Sequence, residues 1–327
     1  MIQLINMPLA EDVLREYENN TELRKMCKKY GCKGIEAIWG GEQCSFNVDT
    51  TLIRGWHLGF YCDWLDFWKK DGIALLHKFK SKEVWKLFYG GADREALVKL
   101  LSEDLERADR AGAEYVVFHV SDVSIEECYT YKWLHTDEEV IDASAELINL
   151  LLDNKNYKFK FLMENLHWAG FNFTRPDMTK RLLQKVHYQN KGIMLDIGHL
   201  MCTNTNLKTE KQAVKYIHQK LDEHGILCRY IKGIHLHQSL SGEYVREHTC
   251  IVPELPNDYF EKFSVCYKHV LNIDKHQPIR EPDMRTVIER INPDYLVHEL
   301  AASDRRKKEE VLSIQTDTLR RGETTCV

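Results

Sequence analysis

The chain has 327 residues, of which 43% are hydrophobic, so it can bury the core of one large domain or of two ordinary ones. Its formal charge of −5 excludes an overall basic field of the kind that drives non-specific association with nucleic acid. The sequence has neither a run of about 20 apolar residues for a membrane span nor the basic start of a signal peptide, and we expect a cytoplasmic protein that does not bind a membrane.

Eight short apolar or β-branched segments alternate with long amphipathic stretches, a pattern typical of parallel strands joined by crossover helices. In chain order the predicted strands are IQLIN from Ile2, KGIEAIW from Lys33, RGWHLGF from Arg54, AEYVVFH from Ala113, KFKFLME from Lys158, KGIMLD from Lys191, IKGIHLH from Ile231 and DYLVHEL from Asp294. No Gly/Ser-rich linker separates them. We therefore predict one α/β domain over residues 1–327, a (β/α)₈ TIM barrel with long loops at its C-terminal face, with a doubly wound sheet as the alternative.

Three predicted connections are longer than a barrel requires. The first is an aromatic insertion at about residues 61–91, the second carries Tyr129, Tyr131 and Trp133, and the third spans roughly residues 238–256. All three follow the C-terminal ends of strands, where the active sites of TIM barrels form, so we expect them to cover the site. A satellite core or a subunit contact is the alternative role for the aromatic residues, and the oligomeric state stays open.

The ten cysteines are scattered from Cys27 to Cys326 without a CxxC pair, and we predict that most are reduced. Cys202 and Cys250 lie near proposed site loops and are the least certain of them.

Polar residues stand where the predicted strands end. They are His57, His119, Glu164, Asp196, His235 and Glu299. Period-two alternation turns them toward the barrel axis, where crowded carboxylates would repel one another and need a cation. Histidine with carboxylate suits Zn²⁺, Mn²⁺, Fe²⁺ or Co²⁺, and we expect one to three ions.

Neighbouring residues extend this candidate site. His199 follows Asp196 in a D-x-x-H pattern, and Asn165 adjoins Glu164, where its amide could hold the carboxylate or contact substrate. His237 shares the strand face of His235 and competes with it as a ligand. His298 is not counted as a candidate ligand, because the alternation of side chains along the strand turns it away from the barrel axis. The histidines expected at the surface are His77, His187, His218, His224, His269 and His276.

From residue 34 to residue 299 the sequence resembles the xylose isomerase-like TIM barrel superfamily, which includes sugar isomerases and epimerases, dehydratases and endonuclease IV. The resemblance rests on the order Glu, Asp-x-x-His, His, Glu on strands five to eight. For the isomerase and epimerase branches it implies that Glu164, Asp196, His235 and Glu299 hold one divalent ion. The two glutamates would then exchange the substrate proton, and His199 would contact substrate.

The endonuclease IV branch implies a trinuclear zinc cluster with further ligands at His57, His119 and His248. An aspartate is expected two residues before His248, but Arg246 stands there, and arginine cannot bind a metal cation. The candidate ligands are Glu164, Asp196, His235, Glu299, His199, His119, His57 and His248, and the candidate substrate contacts are Arg246, Asn165 and His199.

Three functions follow from these patterns. The preferred one is a metal-dependent isomerase or epimerase of a small sugar, sugar phosphate or related hydroxy-carbonyl compound, with Glu164 and Glu299 transferring the proton and Arg246 binding an anionic end of the substrate. The second is an endonuclease IV-like phosphodiesterase, an AP endonuclease acting on nucleic acid, and the third an inactive barrel that serves as a binding protein. One ion per chain favours the isomerase, and two or three favour the phosphodiesterase.

Overall fold

The structure, a computed structural model, describes residues 1–41, 47–59 and 62–321, and within them eight parallel strands close into a barrel. The strands are β1 Ile2–Leu9, β2 Ile35–Trp39, β3 Ile53–His57, β4 Tyr115–His119, β5 Lys160–Glu164, β6 Lys191–Asp196, β7 Ile231–Leu236 and β8 Tyr295–His298. Each strand pairs with its neighbours in sequence, and β8 pairs with β1 to close the barrel. The predicted TIM barrel is confirmed.

Helices cover the outside of the barrel and build its long connections. They are α1 Glu11–Leu14, α2 Asn20–Lys29, α3 Leu65–Trp68, α4 Gly72–Phe79, α5 Lys82–Tyr89, α6 Arg94–Arg110, α7 Ile125–Thr130, α8 Asp137–Leu152, α9 Pro176–Lys185, α10 Ile197–Cys202, α11 Glu210–His224, α12 Gly242–His248, α13 Tyr259–Ile273, α14 Met284–Ile291 and α15 Arg305–Arg321. In α6, Leu97, Leu101 and Leu105 recur every four residues and are buried. None of the described helices is long and apolar enough to cross a lipid bilayer.

The inside of the barrel is packed with inward-facing strand residues. One buried cluster consists of Leu4, Tyr115, Val117, Leu162, Met194, Tyr295 and Val297. Gly55 makes room for the largest of them, because a Cβ at this position would lie 2.3 Å from Cζ of Tyr115. The same strand faces end in polar residues at the C-terminal rim, which is where the site forms.

The aromatic insertion packs against the third long connection. The rings of Phe67 and Tyr89 stack with centroids 3.9 Å apart, and the ring of Phe79 lies 4.2 Å from that of Tyr259 on α13. These rings belong to the main hydrophobic core and not to a separate satellite core, and the covering of the site by the insertion stays a prediction. Tyr61, where the insertion was expected to begin, lies outside the described residues.

The third long connection contains three helices. Residues 237–294 join β7 to β8 and contain α12, α13 and α14, and the stretch predicted at roughly 238–256 contains α12 and ends just before α13. Asp258 caps α13 by accepting N–H groups of Phe260 and Glu261, and the helix ends at Ile273. The chain then returns to the barrel, where Gln238 and Gln277 form an antiparallel bridge.

The described cysteines are free thiols, as predicted. They are Cys27, Cys32, Cys62, Cys128, Cys202, Cys228, Cys250 and Cys266. Cys44 and Cys326 lie outside the described residues.

Candidate metal centre

The ends of β5, β6, β7 and β8 bring three carboxylates around one imidazole. Nδ1 of His235 lies 2.9 Å from Oε2 of Glu299, 3.1 Å from Oε1 of Glu164 and 3.8 Å from Oδ2 of Asp196. All four side chains are buried, and their ligand atoms lie within 4.8 Å of one another. These four residues form one of three clusters of candidate ligands. We call Glu164, Asp196, His235 and Glu299 the second ligand group, because this cluster lies between the other two.

The first ligand group consists of His57, His119 and Glu164. Nε2 of His57 and Nε2 of His119 each lie 3.1 Å from Oε2 of Glu164. Glu164 therefore faces this group with one carboxylate oxygen and the second group with the other. A carboxylate with histidines on both of its oxygens is suited to bridging two cations.

The third ligand group consists of His199, His237, Asp274 and His276. Oδ2 of Asp274 lies 3.1 Å from Nε2 of His199 and 2.7 Å from Nε2 of His276. The rings of His237 and His276 stack with centroids 3.8 Å apart, and Nε2 of His237 lies 2.9 Å from Oδ2 of Asp196. His237 thus joins the third group to a ligand of the second, and both His235 and His237 belong to the centre.

The backbone fixes the orientation of three of these histidine rings. Nδ1 of His57 lies 2.9 Å from the carbonyl oxygen of Leu58, Nδ1 of His199 lies 2.9 Å from that of Asn165, and Nδ1 of His276 lies 3.1 Å from that of Glu299. A carbonyl oxygen only accepts hydrogen bonds, so Nδ1 carries a proton. Nε2 faces a carboxylate, so it either carries a second proton or directs its lone pair at a cation. Two facing lone pairs repel unless a cation lies between them, and metal-binding histidines have this outer hydrogen bond. The donor set therefore fits divalent ions.

His235 has a carboxylate as its outer partner. Its Nε2 lies 3.0 Å from Oε1 of Glu36, and the hydroxyl of Tyr115 donates to Oε2 of Glu36 at 2.7 Å. All three side chains are buried inside the barrel. Glu36 was not among the predicted site residues, although a charged residue within the apolar strand IEAIW is itself a signal.

The electrostatics of the centre favour positive charge. Burial raises the pKa of Glu164, but the facing histidines, His235 above all, lower it more, and the pKa ends well below its ordinary value. Burial lowers the pKa of His57, whereas its hydrogen bond to Glu164 and the nearby carboxylates raise it more, to about 9. The carboxylates thus hold cationic partners, and a metal ion meets the same requirement.

Asp274 and His276 are candidate ligands that were not predicted from the sequence. His276 was expected at the surface, but its Nε2 contacts Asp274 inside the third ligand group. The bridge between Gln238 and Gln277 holds this segment beside the end of β7, with N···O distances of 2.8 and 3.0 Å. The D-x-H pattern at residues 274–276 is the signal that could have found them.

His248 and Arg246 do not belong to the three ligand groups. The ring of His248 on α12 is exposed and stacks on Tyr244 with centroids 3.9 Å apart, and its Nδ1 lies 2.8 Å from the carbonyl oxygen of Tyr244. Arg246 is exposed and donates to the carbonyl oxygen of Thr205. His248 was proposed as a ligand from the resemblance, and it lies outside these groups; the contact of Arg246 with substrate stays a prediction.

Three other expectations about side chains have clear outcomes. Asn165 ties two strand ends together, because its amide donates to the carbonyl oxygen of Asp196 and accepts from the Asp196 N–H. His298 turns away from the centre, as predicted, and contacts Gln3 and Gln315. His224 and His269 are buried, so their assignment to the surface was wrong.

The model of the xylose isomerase-like TIM barrel family matches residues 24–311. Among solved structures, L-ribulose 3-epimerase aligns at 11% identity with a TM-score of 0.52 and covers 100% of this chain and 99% of that one. The IOLI protein with a binding zinc atom aligns at 14% with a TM-score of 0.50, covering 99% and 96%. Endonuclease IV from Thermus thermophilus aligns at 14% with a TM-score of 0.49, covering 98% and 100%. No curated protein matches the chain.

Proposed function

This chain belongs to the xylose isomerase-like TIM barrel family, and we propose that it is a metal-dependent phosphodiesterase that cleaves DNA at abasic sites, as the endonuclease IV branch does. The observation that carries the proposal is that the described residues form three ligand groups, two of which share Glu164. An isomerase needs one such group, whereas the resemblance to endonuclease IV implies a trinuclear zinc cluster. The proposal reverses the preference that the sequence suggested.

The charge of the centre supports an anionic substrate. The carboxylates of the three groups are Glu164, Asp196, Asp274 and Glu299. Three divalent ions would exceed the charge of these carboxylates by about two units, which suits a phosphodiester anion. Histidine and carboxylate together form a ligand set typical of zinc.

Divalent ions held in such groups lower the pKa of water and neutralise charge on the oxygens of a phosphodiester under attack. The protein's own residues hold and orient the centre. Hydrogen bonds from Nδ1 of His57, His199 and His276 to backbone carbonyls keep Nε2 of each ring directed at the ligand groups. Because these rings are fixed before substrate binds, little reorganisation is needed during the reaction.

A sugar isomerase or epimerase is the second candidate, because the second ligand group alone is the set that those branches use. That chemistry requires a glutamate oxygen that can exchange a proton with carbon. In Glu164, Oε2 contacts His57 and His119, and Oε1 contacts His235. Both oxygens would therefore be engaged as ligands when ions are bound, which supports the phosphodiesterase.

The test combines a metal count with two assays. Protein purified without chelator is analysed for metal per chain and assayed on a DNA duplex with one abasic site and on ketose sugars. We expect two or three ions and cleavage of the strand. The double substitution His57→Ala and His119→Ala disturbs the first ligand group alone and should abolish DNA cleavage. The control is His187→Ala, whose exposed ring pairs with Asp153 on the outer surface.

The opposite result would overturn the proposal. If the protein bound one ion per chain and converted a sugar, and if that activity survived the double substitution, it would be an isomerase.

A further inference from the structure

We propose that Ser239 is the positioning residue of the third ligand group, and that its hydroxyl holds residues 274–276 where Asp274 and His276 bind an ion. The inference rests on the proposed function, because it assumes a third ion. Ser239 follows β7 and is fully buried, with 0% of its surface exposed. The contacts of its hydroxyl are with His237 and with residues 274–276, and none is with the first ligand group. Replacing Ser239 should therefore weaken metal binding in one part of the centre.

The hydroxyl of Ser239 contacts both the backbone and a side chain of the ligand segment. It accepts the N–H of Lys275 at 2.9 Å and that of His276 at 3.4 Å, and it donates to Oδ1 of Asp274 at 2.9 Å. Asp274 thereby keeps Oδ2 for the two histidines of the group. One side chain thus fixes the path of the chain and the rotation of the carboxylate.

The segment needs such support because of its backbone. His276 has a φ of 46°, in the left-handed region that residues other than glycine rarely adopt. A conformation of this kind persists when surrounding contacts hold it. The segment lies 35 positions after Ser239 in sequence and reaches it at the end of α13, so the local sequence does not fix it.

The hydroxyl of Ser239 also lies near His237, which contacts the second ligand group. Oγ of Ser239 is 3.3 Å from Nδ1 of His237, whose Nε2 is 2.9 Å from Oδ2 of Asp196. Oγ has one hydrogen, and Asp274 lies closer to it than Nδ1 of His237 does. The main effect of removing the hydroxyl should therefore fall on the third group.

The experiment measures metal binding, not turnover. The whole chain is stripped of metal, titrated with Zn²⁺ in competition with a chromogenic chelator, and compared with Ser239→Ala. Partners outside the ligand shell typically contribute about 10- to 100-fold to metal affinity. We expect one of three ions to bind about 10- to 100-fold more weakly in Ser239→Ala and the other two to bind as in the unaltered protein.

Ser241→Ala is the matched control. Ser241 is also a buried serine, lies two positions after Ser239, and has its hydroxyl oxygen 3.8 Å from the sulfur of Cys202. It should bind all three ions normally. Ser239→Thr keeps the hydroxyl and should bind the third ion more tightly than Ser239→Ala, which gives a second comparison if the alanine variant folds poorly. Three ions of unchanged affinity in Ser239→Ala would overturn the inference and leave the proposed function intact. Fewer than three ions in the unaltered protein would overturn the inference together with its three-ion premise.

Discussion

Glu164 and His235 meet at the centre of the barrel rim, with Oε1 of the glutamate 3.1 Å from Nδ1 of the histidine. Since the other oxygen of Glu164 faces the first ligand group, this side chain is the shared member of two groups. Glu164→Gln replaces a carboxylate that would bridge two ions with a neutral amide. We expect loss of at least one ion per chain and a fall of at least about 100-fold in DNA cleavage, the scale seen when a group that stabilises transition-state charge is lost.

The measurement is metal content by elemental analysis beside the cleavage rate. Glu310→Gln, on the exposed surface of α15, is the control and should change neither. Full metal content in Glu164→Gln would contradict the bridging role.

A second prediction concerns Glu36, the outer partner of His235. Glu36→Gln keeps the shape of the side chain but removes the negative charge 3.0 Å from Nε2 of His235. Because an outer carboxylate orients a ligating histidine and raises its basicity, we expect metal affinity at the second group to fall about 10- to 100-fold. Tyr115→Phe removes the hydrogen bond to Glu36 alone and should have a smaller effect. Equal Zn²⁺ affinities in chelator competition would refute this role.

A third prediction concerns acid stability through Asp66. Burial raises the pKa of Asp66, but hydrogen bonds to His135 and Lys78 lower it more, to about 2. A carboxyl group whose folded-state pKa lies below its ordinary value of 3.8 stabilises the fold above that value, and the contribution is lost as the pH falls toward 2. Asp66→Asn should therefore reduce the free energy of unfolding by roughly 1–3 kcal/mol at pH 7.

Urea unfolding at pH 7 and at the lowest pH at which the protein folds gives the comparison. The difference between Asp66→Asn and the unaltered chain should shrink at the lower pH. Asp153→Asn removes an exposed carboxylate and should cost much less. A difference that grows toward low pH would show that the sign is wrong.

A fourth prediction concerns the aromatic insertion. Phe79 is buried against Tyr259 of α13, the helix that leads into Asp274. Phe79→Ala should destabilise the protein by about 3–5 kcal/mol, as the truncation of a buried aromatic ring does. Leu76→Ala, on the exposed side of the same helix, should cost far less. Thermal unfolding of the three proteins is the measurement, and equal melting temperatures for Phe79→Ala and the unaltered chain would contradict this role of Phe79 in the core.

The barrel and the second ligand group could be predicted from sequence because both follow from local patterns. Alternation along a strand decides which residues face the axis, and parallel strands bring their C-terminal ends to one rim. His57, Glu164 and Asp196 each stand at the end of a strand, so their convergence needed no knowledge of the connections. Their chemistry then pointed to metal ions.

The third ligand group could not be completed in this way. Asp274 and His276 follow a helix, and they reach the rim because the connection folds back and pairs with Gln238. His248 lies closer in sequence to β7 but points away on α12. His248 was carried over from the resemblance and His276 was placed at the surface, and only the fold of the connection shows which of the two lies beside Asp274.

The pairing of β1 with β8 has a consequence for biosynthesis. A ribosome releases the chain from its N-terminus, so the first ligand group has all its members once residue 164 has emerged, and the third once residue 276 has. Glu299, which completes the second group, leaves the ribosome just after the strand that closes the barrel. The second ligand group is thus completed last, and a nascent chain cut short before β8 would contain every member of the first and third groups but lack Glu299 of the second.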